Sequence, residues 1–326
     1  MHNNYVLPKY INNYYSLLKM SPTTKGIIYG IIAAVAYGLN PLFTLPLYKE
    51  GMTPDSVLFY RYAFAAVILG IMLKIQKQSL KLKKSEILPL VIIGLLFSFS
   101  SLFLFQSFLY MEAGLACTIL FVYPVMVALI MYLFFHEKAS LLTIICVLLA
   151  LSGIALLYHG DSGETLSMMG MLLVILSSLA YAIYIVGVNQ SSLRNMTTGK
   201  LTFYGILFGL SIYIVRLKFL TELQPIQSTD SWMNLLALAF FPTVVSLVCI
   251  AAAIHRIGST LTAVIGALEP VTALIIGVVI FHEKLTTRIT IGVILVITAV
   301  TLIIMGNSIM QLIKSTYTKL SAKDKT

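Results

Sequence analysis

Two ionisable residues lie inside long apolar runs of this sequence, and they are the first candidates for chemistry. Glu269 lies in the segment ALEP, near the middle of one run, and Arg61 lies in RYAFA, about two helical turns into another. Ionisable groups in such runs are energetically expensive and usually face a cavity or a partner. Glu269 would suit a switch that responds to protons or cations, and Arg61 would suit an anchor for a carboxylate. The alternatives are a structural ion pair between them, or an Arg61 side chain that reaches lipid headgroups.

Tyrosine and asparagine side chains recur on two other apolar runs at the spacing of a helical face. Tyr37 and Asn40 lie three residues apart on one run, and Tyr181 and Tyr184 do the same on another. Residues three or four apart share one face of an α-helix. We therefore predict that these four residues and the two ionisable residues bind substrate in one cavity. Helix–helix packing through polar residues is the alternative explanation.

Five further residues are weaker candidates for the same region. Gln106 and Tyr110 form an i,i+4 pair on one run, and Ser246 lies on a polar stripe of another, so all three are candidate cavity-lining residues. Pro124 and Pro270 interrupt two other runs. A proline inside a helix removes a backbone hydrogen bond and permits a bend, so we predict that these two residues are hinges.

Motifs for enzymatic or metal chemistry are absent from the sequence. There is no GxxxxGK[ST] phosphate-binding loop, no GxSxG and no HExxH. The tetrapeptide FHEK occurs at 135–138 and 281–284, but its adjacent His and Glu do not have the spacing of metal ligands. We predict no catalytic residue, no metal and no cofactor. The FHEK charges are interpreted as anchors for helix ends, with a gate contact as the alternative.

Composition sets the fold class that must position these residues. Of the 326 residues, 59% are hydrophobic and only 10% are charged, and the mean hydropathy is +0.95. A soluble domain carries about a quarter charged residues. Lipid must therefore solvate most of the surface, which predicts an all-α polytopic membrane protein.

The apolar runs are long enough for helices that cross a bilayer. A membrane-spanning helix needs about 20 mostly apolar residues, twice the length of a barrel strand. Ten runs meet this length, at 25–48, 54–74, 87–111, 114–135, 140–159, 167–190, 200–220, 232–254, 259–281 and 286–306.

The basic residues of the chain lie mainly in the short gaps between these runs. The net charge of +10 is therefore interpreted as a signal for orientation in the lipid bilayer rather than for nucleic-acid binding. With both termini in the cytoplasm, most Lys and Arg residues fall on the cytoplasmic side. Residues 1–24 then form a cytoplasmic or interfacial segment and residues 307–326 a basic cytoplasmic tail. Small size and short loops favour the bacterial inner membrane.

Two halves of the sequence resemble each other in the order of their distinctive residues. Residues 25–160 and 167–306 are therefore interpreted as two copies of a five-helix unit. Because five is odd, the second copy enters the membrane from the opposite side. Inverted repeats of this kind are typical of secondary transporters. The matched segments include FHEK at 135–138 and 281–284, PV at 124–125 and 270–271, and FY at 59–60 and 203–204.

The same segments carry a family resemblance. The order AYGLNP, MTP, RYAFA, YP and FHEK, followed by ALEPVTA and FHEKLT, resembles the EamA family of the drug/metabolite transporter superfamily. This resemblance implies a ten-helix, two-repeat carrier that often exports amino acids or related metabolites. Two features depart from the pattern of that family: Tyr123 stands where the second copy has Glu269, and His136 and His282 precede the glutamate of each turn.

The sequence therefore predicts a secondary transporter that moves a small metabolite across the cytoplasmic membrane by alternating access. The expected partners are a small-molecule substrate, the lipid bilayer and, as a candidate, coupling protons. Export is preferred because of the resemblance. Two alternatives stay open, namely an integral-membrane enzyme acting on a lipid-linked substrate and a passive channel.

Overall fold

The computed structural model of the protein describes residues 21–136, 141–158, 167–302 and 305. Within these ranges every regular element is helical. Most of the predicted N-terminal segment, Glu137 and Lys138 of the first FHEK turn, and the predicted C-terminal tail lie outside the described residues. The α-helices are α1 Pro22–Gly38, α2 Asn40–Lys49, α3 Pro54–Ile75, α4 Lys84–Ser107, α5 Ala113–Leu120, α6 Tyr123–Phe135, α7 Leu141–Tyr158, α8 Met168–Gln190, α9 Thr198–Arg216, α10 Thr229–Ala239, α11 Ser246–Ile265, α12 Leu268–Phe281 and α13 Thr287–Leu302, and a π-helix covers Phe240–Val245.

Local sequence determines where several of these helices begin. Ser21, Thr53, Ser167 and Ser228 are N-caps whose side-chain oxygens accept hydrogen bonds from backbone N–H groups in the first turn. Such caps satisfy donors that have no partner inside the helix. Prolines follow two of these caps directly, at positions where a helix does not need their missing N–H group.

The described residues confirm an all-helical, multi-pass membrane protein. Seven helical stretches are long and apolar enough to cross a bilayer, and three shorter apolar helices accompany them. The predicted total of ten spans stays a prediction. The seven stretches are Pro22–Lys49, Pro54–Ile75, Lys84–Ser107, Ala113–Phe135, Met168–Val188, Thr198–Arg216 and Thr229–Ile254, and the shorter helices are Ile144–Leu156, Leu268–Phe281 and Thr287–Leu302.

Four of the predicted spans are not single regular helices. The first breaks at Leu39, just before Pro41, and the fourth breaks just before Tyr123 and Pro124. The eighth contains the π-helix around Pro242. The ninth is interrupted by a two-residue turn at 266–267, directly before the helix that carries Pro270. A proline cannot donate a backbone hydrogen bond, so each break coincides with a place where the regular ladder must change.

The turns that connect the helices contact one another at the two opposite ends of the bundle. At one of them, here named the Lys81 end, the turn after α3 contacts the segment before and at the start of α9. The Tyr204 hydroxyl donates to the Leu80 carbonyl (2.6 Å), and Lys200 Nζ donates to the Lys81 carbonyl (2.5 Å). Helix α4 leads from this end to the other.

The opposite end, here named the Glu50 end, is held by polar contacts. They join the turn after α2 and the first turn of α3 to the end of α9 and the start of α10. Arg216 forms a bidentate ion pair with Asp55, with N–O distances of 2.5 and 3.0 Å. The Glu50 carboxylate accepts hydrogen bonds from Ser228 (3.0 Å) and from Ser231. These contacts join residues more than 160 positions apart in sequence.

The second FHEK turn also lies at the Glu50 end. The Glu283 carboxylate accepts backbone hydrogen bonds from Ala113 (2.8 Å) and Gly114 (3.2 Å), so it caps the first turn of α5. Burial raises the pKa of Glu283, and these two bonds oppose that increase. The Lys284 backbone N–H donates to Glu112 Oε1 (3.2 Å), which adds a second link between the same two segments.

Helices α1 and α8 occupy similar settings in the two halves of the chain. A Cβ built at Gly26 in α1 would lie 2.5 Å from Cγ2 of Ile257, and one built at Gly170 in α8 would lie 3.1 Å from Cγ of Met111. Both glycines therefore allow a close approach to a segment from the opposite half. Further along, Tyr181 of α8 contacts Tyr123 of α6 edge to face.

Candidate functional site

A cavity of about 60 Å³, here named the central cavity, lies inside the bundle between helices of both halves of the chain, including α1, α3, α8 and α12. It is lined by residues from both halves of the chain, including four of the six predicted substrate-binding residues and the candidate lining residue Ser246. Those four are Tyr37, Arg61, Tyr181 and Glu269.

The cavity lies at the four helix breaks. Tyr37 precedes the break between α1 and α2, and Tyr123 is the first residue of α6. Thr243 belongs to the π-helix, and Glu269 is in the first turn of α12. Irregular backbone at membrane depth is tolerated where it is buried in protein or lines a cavity. The breaks thus bring polar side chains and backbone groups to one place.

Arg61 is the cation of this cavity, and its side chain is only 4% exposed. Its Nε donates to Thr243 Oγ1 (3.1 Å), and its guanidinium lies over the Phe105 ring, 5.2 Å from the ring centre. The Thr243 hydroxyl in turn donates to the Leu238 carbonyl (3.2 Å). This burial differs from the alternative in which Arg61 reaches the headgroups.

Glu269 is the acid of the cavity, and it does not pair with Arg61. Neither its carboxylate nor the guanidinium takes part in an ion pair among the described residues, so the alternative of a structural ion pair is not found there. The helix dipole of α12 favours a negative charge at this first-turn position. Gly38 permits the close packing at this point, because a Cβ there would lie 2.7 Å from the Glu269 carbonyl oxygen.

An aromatic cluster forms another part of the wall. Tyr181 meets Tyr123 edge to face, with ring centres 4.7 Å apart, and stacks on Tyr184 at 5.6 Å. Phe97 contacts both Tyr181 and Tyr184. Tyr184 is not among the lining residues, so it supports Tyr181 from behind.

Asn40 also lies behind the wall rather than in it. Its side chain is 1% exposed, and Nδ2 donates to the Tyr37 carbonyl (2.7 Å) at the end of α1. Asn40 Oδ1 has no partner among the described residues. The amide therefore fixes the break that presents Tyr37 to the cavity.

Gln106 and Tyr110 do not line the cavity. The prediction assumed one helix through both residues, but α4 ends at Ser107 and the chain then turns. Tyr110 lies in that turn and is 49% exposed. The pair therefore does not share a helical face directed at the site.

Several lining residues were not predicted from the sequence, and among them Phe97, Tyr123 and Thr243 contact predicted residues directly. Tyr123 had a sequence signal, since it stands at the repeat position of Glu269. Thr243 had none beyond a weak polar stripe, because its contact with Arg61 joins residues 182 positions apart. Within the described residues, no group of three or more His, Cys, Asp or Glu side chains has the arrangement of a metal site.

Comparisons with known proteins agree with this membrane architecture. The uncharacterized transporter YvbV of Bacillus subtilis (strain 168) is 22% identical over 292 residues, which cover 88% of this chain and 93% of YvbV. The uncharacterized transporter sll1319 of Synechocystis sp. is 29% identical over 208 residues, 61% of each chain. A protein of known crystal structure shares the fold with a TM-score of 0.61 at 15% identity, covering 85% of this chain and 95% of that one.

The family comparison covers nearly the whole chain. Residues 24–159 and 168–305 each match the EamA-like transporter family. This finding confirms the resemblance drawn from the sequence motifs, and the named relatives are transporters as well. The chain therefore belongs to the EamA-like transporter family and is a multi-pass membrane transporter.

Proposed function

We propose that the protein is a secondary transporter that binds a small metabolite, an amino acid or a related solute, in the central cavity. The observation that carries this proposal is the presence of Arg61 and Glu269 in one cavity without an ion pair between them. A zwitterion could place its carboxylate at Arg61 and its ammonium group near Glu269. The aromatic cluster would then contact the rest of the solute.

We further propose ten transmembrane helices in two inverted repeats, 25–160 and 167–306. The packing of α1 and α8 supports this arrangement, because each helix packs against the opposite half of the chain. Gly26 of α1 approaches Ile257 of the second half, and Gly170 of α8 approaches Met111 of the first half. The positions of the FHEK turns also support it. Glu283 lies at the Glu50 end, whereas α6, which leads to His136, runs beside the end of α8 that precedes the Lys81-end segment.

Alternating access would move the solute past this cavity. Ligand pockets usually measure about 300–1,000 Å³, so a cavity of about 60 Å³ must widen before it admits a metabolite. Pro124 and Pro270 occupy matched positions at two breaks and are the proposed hinges. Protons are the proposed coupling ions, with Glu269 as their site.

The direction of transport is proposed to be export from the cytoplasm of a bacterium through its inner membrane. Basic residues concentrate at the Lys81 end, which supports a cytoplasmic location for that end and for both termini. The basic residues at that end include Lys74, Lys77, Lys81, Lys83, Lys84, Arg194 and Lys200.

The proposal is tested by counterflow in proteoliposomes that contain the purified protein and a mixture of unlabelled amino acids. Each labelled amino acid is then added outside in turn. A carrier gives saturable, transient accumulation of at least one of them, which Arg61→Gln should abolish or shift to higher concentration. Flux that never saturates would indicate a channel, and turnover of a lipid substrate in detergent would indicate an enzyme.

A further inference from the structure

A second and much larger cavity lies at the Lys81 end, between α3, α9 and α11. Its volume is about 490 Å³, within the usual range for a small-molecule site. Leu69 and Met72 form its α3 wall, and Thr202 lies on its α9 wall. We name this cavity the vestibule.

Leu247 separates the vestibule from the central cavity. On α11, Ser246, Leu247 and Ile250 face the central cavity, whereas Leu247, Val248 and Ala251 face the vestibule. Residues one helical turn apart share a face of the helix. The residues that line the central cavity and those that line the vestibule therefore form two adjacent faces of α11, and Leu247 lies at the boundary between them. Its side chain is thus a shared wall of the two spaces.

The lining of the vestibule has the chemistry of a site for an anionic, hydrogen-bonding solute. Gln78 and Asn195 contribute side-chain amides, and Thr198 and Thr202 contribute hydroxyls. Among the described residues that line it, Arg194 alone carries a charge. A guanidinium favours carboxylates and other planar anions.

We propose that the vestibule is a second solute site, which takes a hydrogen-bonding solute with a carboxylate or similar anionic group and passes it to the central cavity past Leu247. This inference rests on the proposed transport function, because it places the vestibule on the route between the Lys81 end and the central site. Polar contacts hold both ends of the bundle, but the cavity of about 490 Å³ lies at the Lys81 end, so the solute would approach the route from that side.

The charge preference is tested with thiol reagents in a variant whose three cysteines are replaced by serine. Thr202→Cys is added, and anionic and cationic methanethiosulfonates are applied from the Lys81 end. The anionic reagent should react faster, and Arg194→Gln should lower the ratio of anionic to cationic rates several-fold. Lys77→Gln is the matched control, since it removes a positive charge at the same end without altering the vestibule lining.

The partition is tested with Ser246→Cys, which reports access to the central cavity. Leu247→Ala should accelerate its modification from the Lys81 end, and Leu247→Trp should slow it. Ile254→Ala, a truncation at a residue of the same helix that is 42% exposed, should leave the rate unchanged.

The outcomes separate this inference from the proposed function. If amino-acid counterflow is intact but Arg194→Gln leaves the rate ratio unchanged, or if Leu247→Ala does not alter access to Ser246→Cys, the inference is wrong and the transport proposal stands. If the accessibility results are as expected but no solute shows counterflow, the proposed function falls and takes with it the role of the vestibule in transport.

Discussion

Replacement of Thr243 by valine is expected to lower the free energy of unfolding by about 2–4.5 kcal/mol. The Thr243 hydroxyl accepts a hydrogen bond from the buried Arg61 side chain and donates one to the Leu238 carbonyl. A hydrogen bond to a charged group contributes about 1.5–3 kcal/mol, and a neutral one about 0.5–1.5 kcal/mol. Valine fills a similar volume, so the change isolates the hydroxyl rather than the packing.

Thr243→Ser is the control, because serine keeps the hydroxyl and loses only one methyl group, worth about 0.8 kcal/mol. Both variants are unfolded reversibly in mixed micelles, and solute affinity is measured by thermal shift. The valine variant should be the less stable of the two and should bind the carboxylate-bearing solute more weakly, since Arg61 loses the contact that orients it. Equal stabilities for valine and serine would show that the Arg61–Thr243 bond does not hold the site.

Three further predictions concern the acids and the closely packed glycine. Glu269→Gln is expected to remove the pH dependence of counterflow, whereas Glu269→Asp keeps it; an unchanged rate and pH profile in the glutamine variant would exclude a coupling role. Because burial raises the pKa of Glu283, the folded protein binds this proton more tightly than the unfolded chain. Its contribution to stability is therefore greatest below the unfolded pKa of about 4.3 and is lost as pH rises through the higher folded value. Thermal unfolding of Glu283→Gln should lack that slope, and a slope equal to that of the parent would contradict this assignment. Gly38→Ala should destabilise the protein by about 1–3 kcal/mol, because its Cβ would lie 2.6 Å from Cβ of Thr272. Gly205→Ala, where nothing lies within 4 Å of an added Cβ, should be neutral or stabilising in the same denaturation assay.

The sequence predicted those features that depend on composition or on the cost of burying charge. Low charge and high hydropathy were sufficient for an all-helical membrane protein. Arg61 and Glu269 were recognised because an ionisable group in an apolar run needs a cavity or a partner, and both residues line the central cavity. Their roles in binding stay predictions.

The sequence could not predict features that depend on how distant helices align. The contact between Arg61 and Thr243 requires the π-helix to turn a hydroxyl towards α3, and no local pattern specifies that rotation. Gln106 and Tyr110 do not lie on one helix because α4 ends at Ser107, and the end of a helix depends on capping and packing as well as on apolar spacing. Tyr184 shares a helical face with Tyr181 but does not line the central cavity, and the spacing of the two residues could not show which of them would be covered by a neighbouring ring.

The helix breaks also explain why the two proposed repeats do not form a symmetric site. Breaks before Tyr123 and Glu269 occur in both halves, but the break before Pro41 has no counterpart around Ile185, which lies inside the uninterrupted helix α8. The π-helix belongs to the second half alone among the described residues, and it supplies Thr243 as the partner of Arg61 from the first half. At the matched breaks, the first half presents the phenol of Tyr123 to the cavity and the second half presents the carboxylate of Glu269. Arg61 makes one wall of the cavity cationic and Glu269 makes another acidic, so a zwitterion bound there would have a single preferred orientation.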